Sequence, residues 1–100
     1  MSEHGSHGER AGLLDVAVHV PEHVIFRSFA EETVALNLQT GTFHGLNRTA
    51  GRMVELVARA PRARDAVGQL AEEYAVPDER IADDLEDLLR VLVDLSLIHI

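Results

Sequence analysis

The chain of 100 residues is long enough for one compact domain and too short for two, because smaller domains bury too little surface to be stable. Its formal net charge of −8 repels nucleic acid phosphates, so we expect neither DNA nor RNA as a partner. The absence of cysteine excludes disulfides and thiolate metal sites and agrees with a reducing cytoplasm, where we expect the protein to be located.

The N-terminal segment is polar and rich in Ser, Gly, His and Glu. Such a composition buries little apolar surface, so we expect residues 1–15 to form a flexible tail before a single domain over residues 16–100. The first apolar run is short and is interrupted by Asp15 and Pro21, which predicts neither a signal peptide nor a membrane span. Within this run, residues 16–20 (VAVHV) are typical of an edge strand or of extended chain.

The next three segments predict an antiparallel β-meander. Val24–Ala30 and Thr33–Leu38 are rich in β-branched and aromatic residues, as strands are. Gly41 stands where a left-handed residue closes a type I turn with a bulge. After this turn, Thr42–Leu46 returns as the third strand.

After Asn47 the hydrophobic period changes, which predicts three helices. The first helix begins with a capping Asn or Thr and ends before Pro61, and the second ends before Pro77. The third helix, Asp78–Leu95, has acids in its first turn and the strongest apolar repeat. The expected class is therefore α+β, similar to a winged helix-turn-helix, with a three-stranded meander followed by three helices.

A helical wheel that advances about 100° per residue divides the third helix into faces. The expected buried stripe consists of five aliphatic residues: Ile81, Leu85, Leu88, Leu92 and Leu95. One flank carries four other residues together: Arg80, Asp84, Asp87 and Val91. Leu89 and Val93 lie on the opposite flank, where we expect them to extend the core.

Neither catalytic nor metal-binding chemistry is indicated. The six histidines are dispersed and have no thiolate partner, and His44 is expected to pack in the fold. Four acids of the third helix are expected to form a solvated face rather than a catalytic pair: Asp83, Asp84, Glu86 and Asp87. The glycines form no phosphate loop or nucleophile elbow. We expect no enzyme activity, no cofactor and no bound metal.

A resemblance to the pyrroloquinoline quinone biosynthesis protein D family covers about Pro21 to Ile98. Three segments carry it in order: ALNLQTGTFHGLN, AGRMVEL and LAEEYAVPDERIADDLEDLLRVLVDLSLI. The matching positions are Thr40, Gly41, Phe43, Leu46, Asn47, Gly51, Asp84, Leu85, Leu88, Leu89 and Leu92. The chain departs from the family pattern at Val54, where Trp is frequent, and at Ser96, where Gly usually stands.

This resemblance implies a recognition module of ribosomally made and modified peptides. Such a module binds the leader of a precursor peptide and presents its core to a tailoring enzyme. The enzyme is a leader peptidase in lasso-peptide pathways and a radical enzyme in the quinone-cofactor pathway, and the resemblance agrees with both. A winged-helix DNA-binding regulator and a small enzyme or cofactor carrier are the alternatives that composition and motifs oppose.

The residues themselves suggest how a peptide would bind. The outer edge of the third strand can accept an extended peptide as an added strand. The predicted edge residues are Thr42, Phe43, His44, Gly45 and Leu46, and the predicted second wall of the groove consists of Arg80, Asp84, Asp87 and Val91. The alternative interpretation is an ordinary protected edge strand whose residues only pack and cap.

Overall fold

The computed structural model describes residues 12–100. In this range three strands are followed by three α-helices: β1 Val24–Ser28, β2 Glu32–Asn37, β3 Thr42–Asn47, α1 Arg48–Arg59, α2 Val67–Tyr74 and α3 Asp78–Asp94. A short 3₁₀ turn, Ala63–Ala66, precedes α2 and divides the predicted second helix into two parts. The expected α+β class is confirmed.

The sheet has the strand order β1-β2-β3, and both neighbouring pairs are antiparallel. In the β2–β3 hairpin, Asn37 pairs with Thr42, and the Gly41 amide donates to the Asn37 carbonyl over 2.8 Å. Gly41 has a φ of 74°, which confirms the predicted left-handed turn residue. The buried Asn37 side chain accepts hydrogen bonds from the amides of Gln39 and Thr40, and these bonds stabilise the turn.

The strands alternate between a face that packs on the helices and a face that does not. On β2, Thr33, Ala35 and Asn37 are buried, whereas Val34 and Leu36 are only partly buried. The register pairs Phe43 with Leu36, so the Phe43 ring belongs to the face opposite the helices. We call this the outer face of the sheet.

Helix α1 begins directly after β3 because Asn47 ends the strand and caps the helix. The Asn47 side chain accepts from the Ala50 amide over 2.8 Å, as the sequence predicts. One turn later, Gly51 is buried against Thr33 of β2, and a Cβ at position 51 would lie 2.7 Å from the Thr33 Cβ. The helix therefore approaches the sheet more closely than a larger residue allows.

Charged side chains connect α1 to α2 at the surface. The Arg52 guanidinium donates to both carboxylate oxygens of Glu73, over 3.0 and 2.7 Å, and to Glu55 over 2.9 Å. The Arg52 guanidinium and then the Gln69 amide lower the pKa of Glu73 below its ordinary value, since both stabilise the carboxylate. This bidentate pair fixes the end of α2 against the start of α1.

Before β1, residues 12–14 are helical, and residues 17–20 are extended chain that pairs with the C-terminus. His19 and His99 exchange two backbone hydrogen bonds of 2.8 Å, forming an isolated antiparallel bridge rather than a strand. Most of the predicted tail lies outside the described residues. Inside them, Leu14 packs against the core and Asp15 pairs with Arg64. No helix within residues 12–100 is long and apolar enough to cross a membrane.

The buried stripe of α3 is rotated relative to the predicted one. Leu89 is fully buried, which confirms the prediction that it extends the core. The predictions for Val93 and Leu95 are wrong, because Val93 is 36% exposed and Leu95 is 39% exposed. Leu88 is only partly buried. The helix ends at Asp94, so Leu95 follows the last turn and lies beside the exposed flank.

Glu86 also corrects the sequence prediction. The residue is only 1% exposed, although the helical pattern assigns it to a solvated acidic face. Glu86 lies on the same side of α3 as Leu89, and this side is covered by the fold. The Arg90 guanidinium lies 3.8 Å from its carboxylate.

Ser96 adopts the left-handed conformation that the family pattern assigns to glycine. Its φ is 61°, its amide donates to Val93, and the Leu97 amide donates to Leu92. These bonds end α3 with the hydrogen-bond pattern of a Schellman motif, in which glycine avoids the steric cost of a Cβ.

Replacing Ser96 by Gly should therefore stabilise the protein by about 0.5–1 kcal/mol, because relief of the left-handed strain exceeds the added backbone entropy. Urea denaturation measures the change. Ala58→Gly, on the exposed face of α1, is the control and should lower stability by about 1 kcal/mol. A destabilised Ser96→Gly variant would show that the serine side chain contributes more than its strain costs.

Gly51→Ala should lower the free energy of unfolding by about 1–3 kcal/mol, since the new methyl group collides with Thr33 and pushes α1 from the sheet. Gly68→Ala is the matched control, because a Cβ there meets no heavy atom within 4 Å and a helical alanine is favoured over glycine. Equal thermal midpoints for both variants would contradict the close approach of α1 and β2.

Candidate functional site

The outer edge of β3 is open within residues 12–100. β3 is a terminal strand of the sheet and pairs only with β2. Thr42, Phe43 and Gly45 are exposed, whereas His44 and Leu46 are partly buried. His44 is therefore packed only in part. A terminal strand presents backbone amides and carbonyls on its free side, and these groups can pair with another extended chain.

Side chains alternate along this edge and face two different environments. His44 and Leu46 lie on the helix-facing side, because their β2 partners Ala35 and Thr33 are buried. Phe43 lies on the outer face, and its side chain is 71% exposed. A chain added at this edge would therefore contact both the helical side and the outer face.

The predicted second wall is a polar and apolar flank of α3. Arg80, Asp84 and Asp87 are exposed, and the Val91 side chain is 51% exposed. Leu88 and Leu95 border Val91 on this flank and are themselves incompletely buried. The sequence prediction missed these two leucines because it assigned them to the core stripe.

The opposite flank of α3 is bordered by the segment that precedes β1. A recess of about 310 Å³ is lined by Leu14 together with Ala82 of α3. A second recess, of about 440 Å³, is lined by Pro21 and His23 together with Val93. The flank with Arg80 and Val91 is thus the more accessible side of the helix.

The two walls are related through α1. β3 packs mainly on β2 and α1, and α3 packs mainly on α2 and α1. Leu46 from β3 and Leu88 from α3 are partly buried against the same core cluster. Each wall therefore has one apolar residue that packs against the shared core. The exposed residues of the same wall lie farther from that core.

A third recess lies beside the other terminal strand, β1. It measures about 380 Å³ and is lined by residues of the segment before β1, of β1 and β2, and of α1: Val20, Phe26, Ser28, Thr33, Gly51, Val54, Glu55, Ala58 and Arg59. Val54 is the position at which the family often has Trp, and its smaller side chain lines this recess. Because the sequence motifs that resemble the family include the β3 hairpin, the β3 edge remains the predicted binding edge.

The exposed charge of α3 is predominantly acidic. Six acids are exposed on this helix: Asp78, Glu79, Asp83, Asp84, Asp87 and Asp94. Arg80 and Arg90 are its exposed bases. This surface attracts a cationic peptide and repels nucleic acid.

Within residues 12–100, no three His, Asp or Glu side chains come together in a group that could hold a metal ion.

The fold and the open edge define a small α+β domain with an open terminal strand. The family model described as coenzyme PQQ synthesis protein D (PqqD) matches residues 32–98. The chain belongs to this family, whose proteins are non-catalytic peptide-binding domains. The family prediction made from the sequence motifs is confirmed.

Two solved structures are similar to this chain. TbiB1 in complex with the TbiA(beta) leader peptide is 31% identical, with a TM-score of 0.73, and the match covers 81% of this chain and 94% of that chain. Lasso peptide synthetase B1 complexed with the leader peptide is 19% identical, with a TM-score of 0.76 over 85% of this chain and 100% of that chain. The second similarity shows the fold alone. No curated protein matches significantly.

Proposed function

We propose that this protein binds the leader region of a ribosomally synthesised precursor peptide and presents the peptide to a modifying enzyme. The observation that carries the proposal is the open β3 edge in a chain that is 31% identical to TbiB1, which was solved with a leader peptide. The protein acts as a peptide chaperone in the cytoplasm, without chemistry of its own.

The leader binds by strand addition to Thr42–Asn47. An extended peptide satisfies the free amides and carbonyls of β3, so its main chain contributes affinity for many sequences. Its alternate side chains then face His44 and Leu46 on the helical side. We infer that this side of the peptide selects the leader, because only there can one strand contact both walls.

The exposed flank of α3 supplies the second wall. Val91, with Leu88 and Leu95, receives an apolar leader residue, and Asp84 and Asp87 pair with basic ones. Ion pairs at an exposed rim contribute about 0.2–1 kcal/mol each, so strand pairing and the apolar contact should dominate affinity.

The partner enzyme receives the peptide from this complex. We propose that the protein serves a lasso-peptide pathway, in which the partner is a leader peptidase, because it shares its fold with lasso peptide synthetase B1, which was solved with a leader peptide. The alternative within the same family is the quinone-cofactor pathway, in which the partner is a radical enzyme. Pull-down of the full-length protein with each candidate enzyme, with and without precursor, distinguishes them.

Titration of the protein with the leader of the precursor gene encoded beside its own gene tests the proposed function. Isothermal titration calorimetry should show one-to-one binding, and a scrambled leader of equal composition should bind at least tenfold more weakly, as expected if alternate side chains contribute about 1.4 kcal/mol. Equal affinity for both peptides would contradict leader recognition.

Gly45→Pro should weaken leader binding more than Asp87→Ala, because proline removes an amide from the edge strand whereas Asp87 contributes only a rim charge. Circular dichroism must first show that both variants are folded. A folded Gly45→Pro variant that binds like the parent would exclude strand addition at β3, even if the protein binds leaders by another mode.

Val91→Ala should weaken leader binding about fivefold, through loss of roughly 1 kcal/mol of apolar contact. Val93→Ala is the matched control on the opposite flank, where the Val93 side chain is 36% exposed, and it should leave the affinity unchanged. The reverse ranking would place the groove on the flank that faces Pro21 and His23.

A further inference from the structure

Glu32 extends over the one residue of β3 that has no side chain. Glu32 is the first residue of β2, and its direct partner in the register is Asn47. Its carboxylate leans diagonally, so that a Cβ built on Gly45 would lie 3.2 Å from Glu32 Oε1 and, apart from the two adjacent residues of β3, within 4 Å of no other heavy atom. The carboxylate of the second strand is therefore in contact with the edge strand.

The absence of a side chain at position 45 makes Glu32 reachable from outside the sheet. Gly45 lies on the outer face, opposite Val34. A residue with a side chain would stand between Glu32 and any strand added to β3. With glycine, the nearest outer-face side chain of an added strand meets the carboxylate directly, across about one strand spacing of 4.7–4.9 Å.

The surroundings of this carboxylate favour a cation. Within residues 12–100, Glu32 forms no ion pair; of the two arginines that line the same recess, Arg52 is engaged by Glu73 and Glu55, and Arg48 is exposed. Two positions before Gly45 on the same face, the Phe43 ring is exposed. Aromatic faces attract guanidinium and ammonium groups, and the aliphatic stem of Arg or Lys can lie over the bare Gly45 backbone and Val34.

We propose that Glu32, reached over Gly45 and beside Phe43, is a specificity determinant that selects a basic side chain at one position of the bound leader. The selected residue lies opposite Gly45 and points to the outer face, whereas its neighbours point toward α3. This inference rests on the proposed strand addition and adds a second contact surface, on the side of the sheet away from the α3 groove.

Selection from a displayed library of random twelve-residue peptides tests this assignment with the full-length protein. Peptides that also bind the folded Gly45→Pro variant are first removed, so that the remaining peptides depend on the β3 edge. The remaining pool should be enriched in Arg or Lys at one aligned position. The enrichment should disappear when selection is repeated on Glu32→Gln and persist on Glu31→Gln, a neighbouring exposed acid in the β1–β2 turn.

A double-mutant cycle with one selected peptide then measures the coupling. Replacing its basic residue by Gln should weaken binding to the parent by about two- to fivefold, the range for an exposed ion pair, and should have no further effect on Glu32→Gln. The loss on the parent should shrink as salt is raised.

Two results would overturn the inference while leaving strand addition intact. One is a β3-dependent peptide pool without a basic position, and the other is an equal loss from the peptide substitution on parent and Glu32→Gln proteins. A library from which no β3-dependent peptide emerges would instead overturn this inference together with the proposed function.

Discussion

The close contact between α1 and β2 determines how the rest of this domain is arranged. Gly51 allows the helix to lie directly on Thr33, and β3 leads into α1 with only Asn47 as a cap between them. The position of α1 therefore fixes the edge strand at one end and supports α3 at the other. Both walls of the candidate groove depend on this one approach of a helix backbone to a sheet.

An open edge strand is a liability that most proteins avoid, since it can pair with any extended chain. Here the residues of the β3 edge favour recognition over protection. Phe43 is exposed, Gly45 has no side chain, and β3 contains neither lysine nor proline. Acids lie on both sides of the edge, with Glu32 on the outer face and Asp84 and Asp87 on α3. In the proposed complex, their summed charge would attract a cationic peptide over distance, and backbone pairing and apolar contacts would retain it.

Local sequence signals predicted the parts of the structure that local interactions create. The left-handed Gly41, the Asn47 cap and the proline boundaries of the helices depend on a few neighbouring residues, so they were correct within one or two positions. The fold class followed from the change in hydrophobic period along the chain. The family resemblance followed from motifs in both the β3 hairpin and the last helix. The site residues remain a prediction, but each of them is exposed or half-buried as binding requires.

The sequence by itself determined the order of the elements, the open strand edge and the acidic character of the surface, because these follow from period, turn chemistry and composition. Only the tertiary structure decided the rotation of α3, which buries Leu89 and Glu86 and leaves Leu95 exposed. That rotation depends on which flank the segment before β1 covers, a contact between residues far apart in the chain. The same is true of Glu32 and Gly45, since only strand pairing brings the carboxylate to the edge.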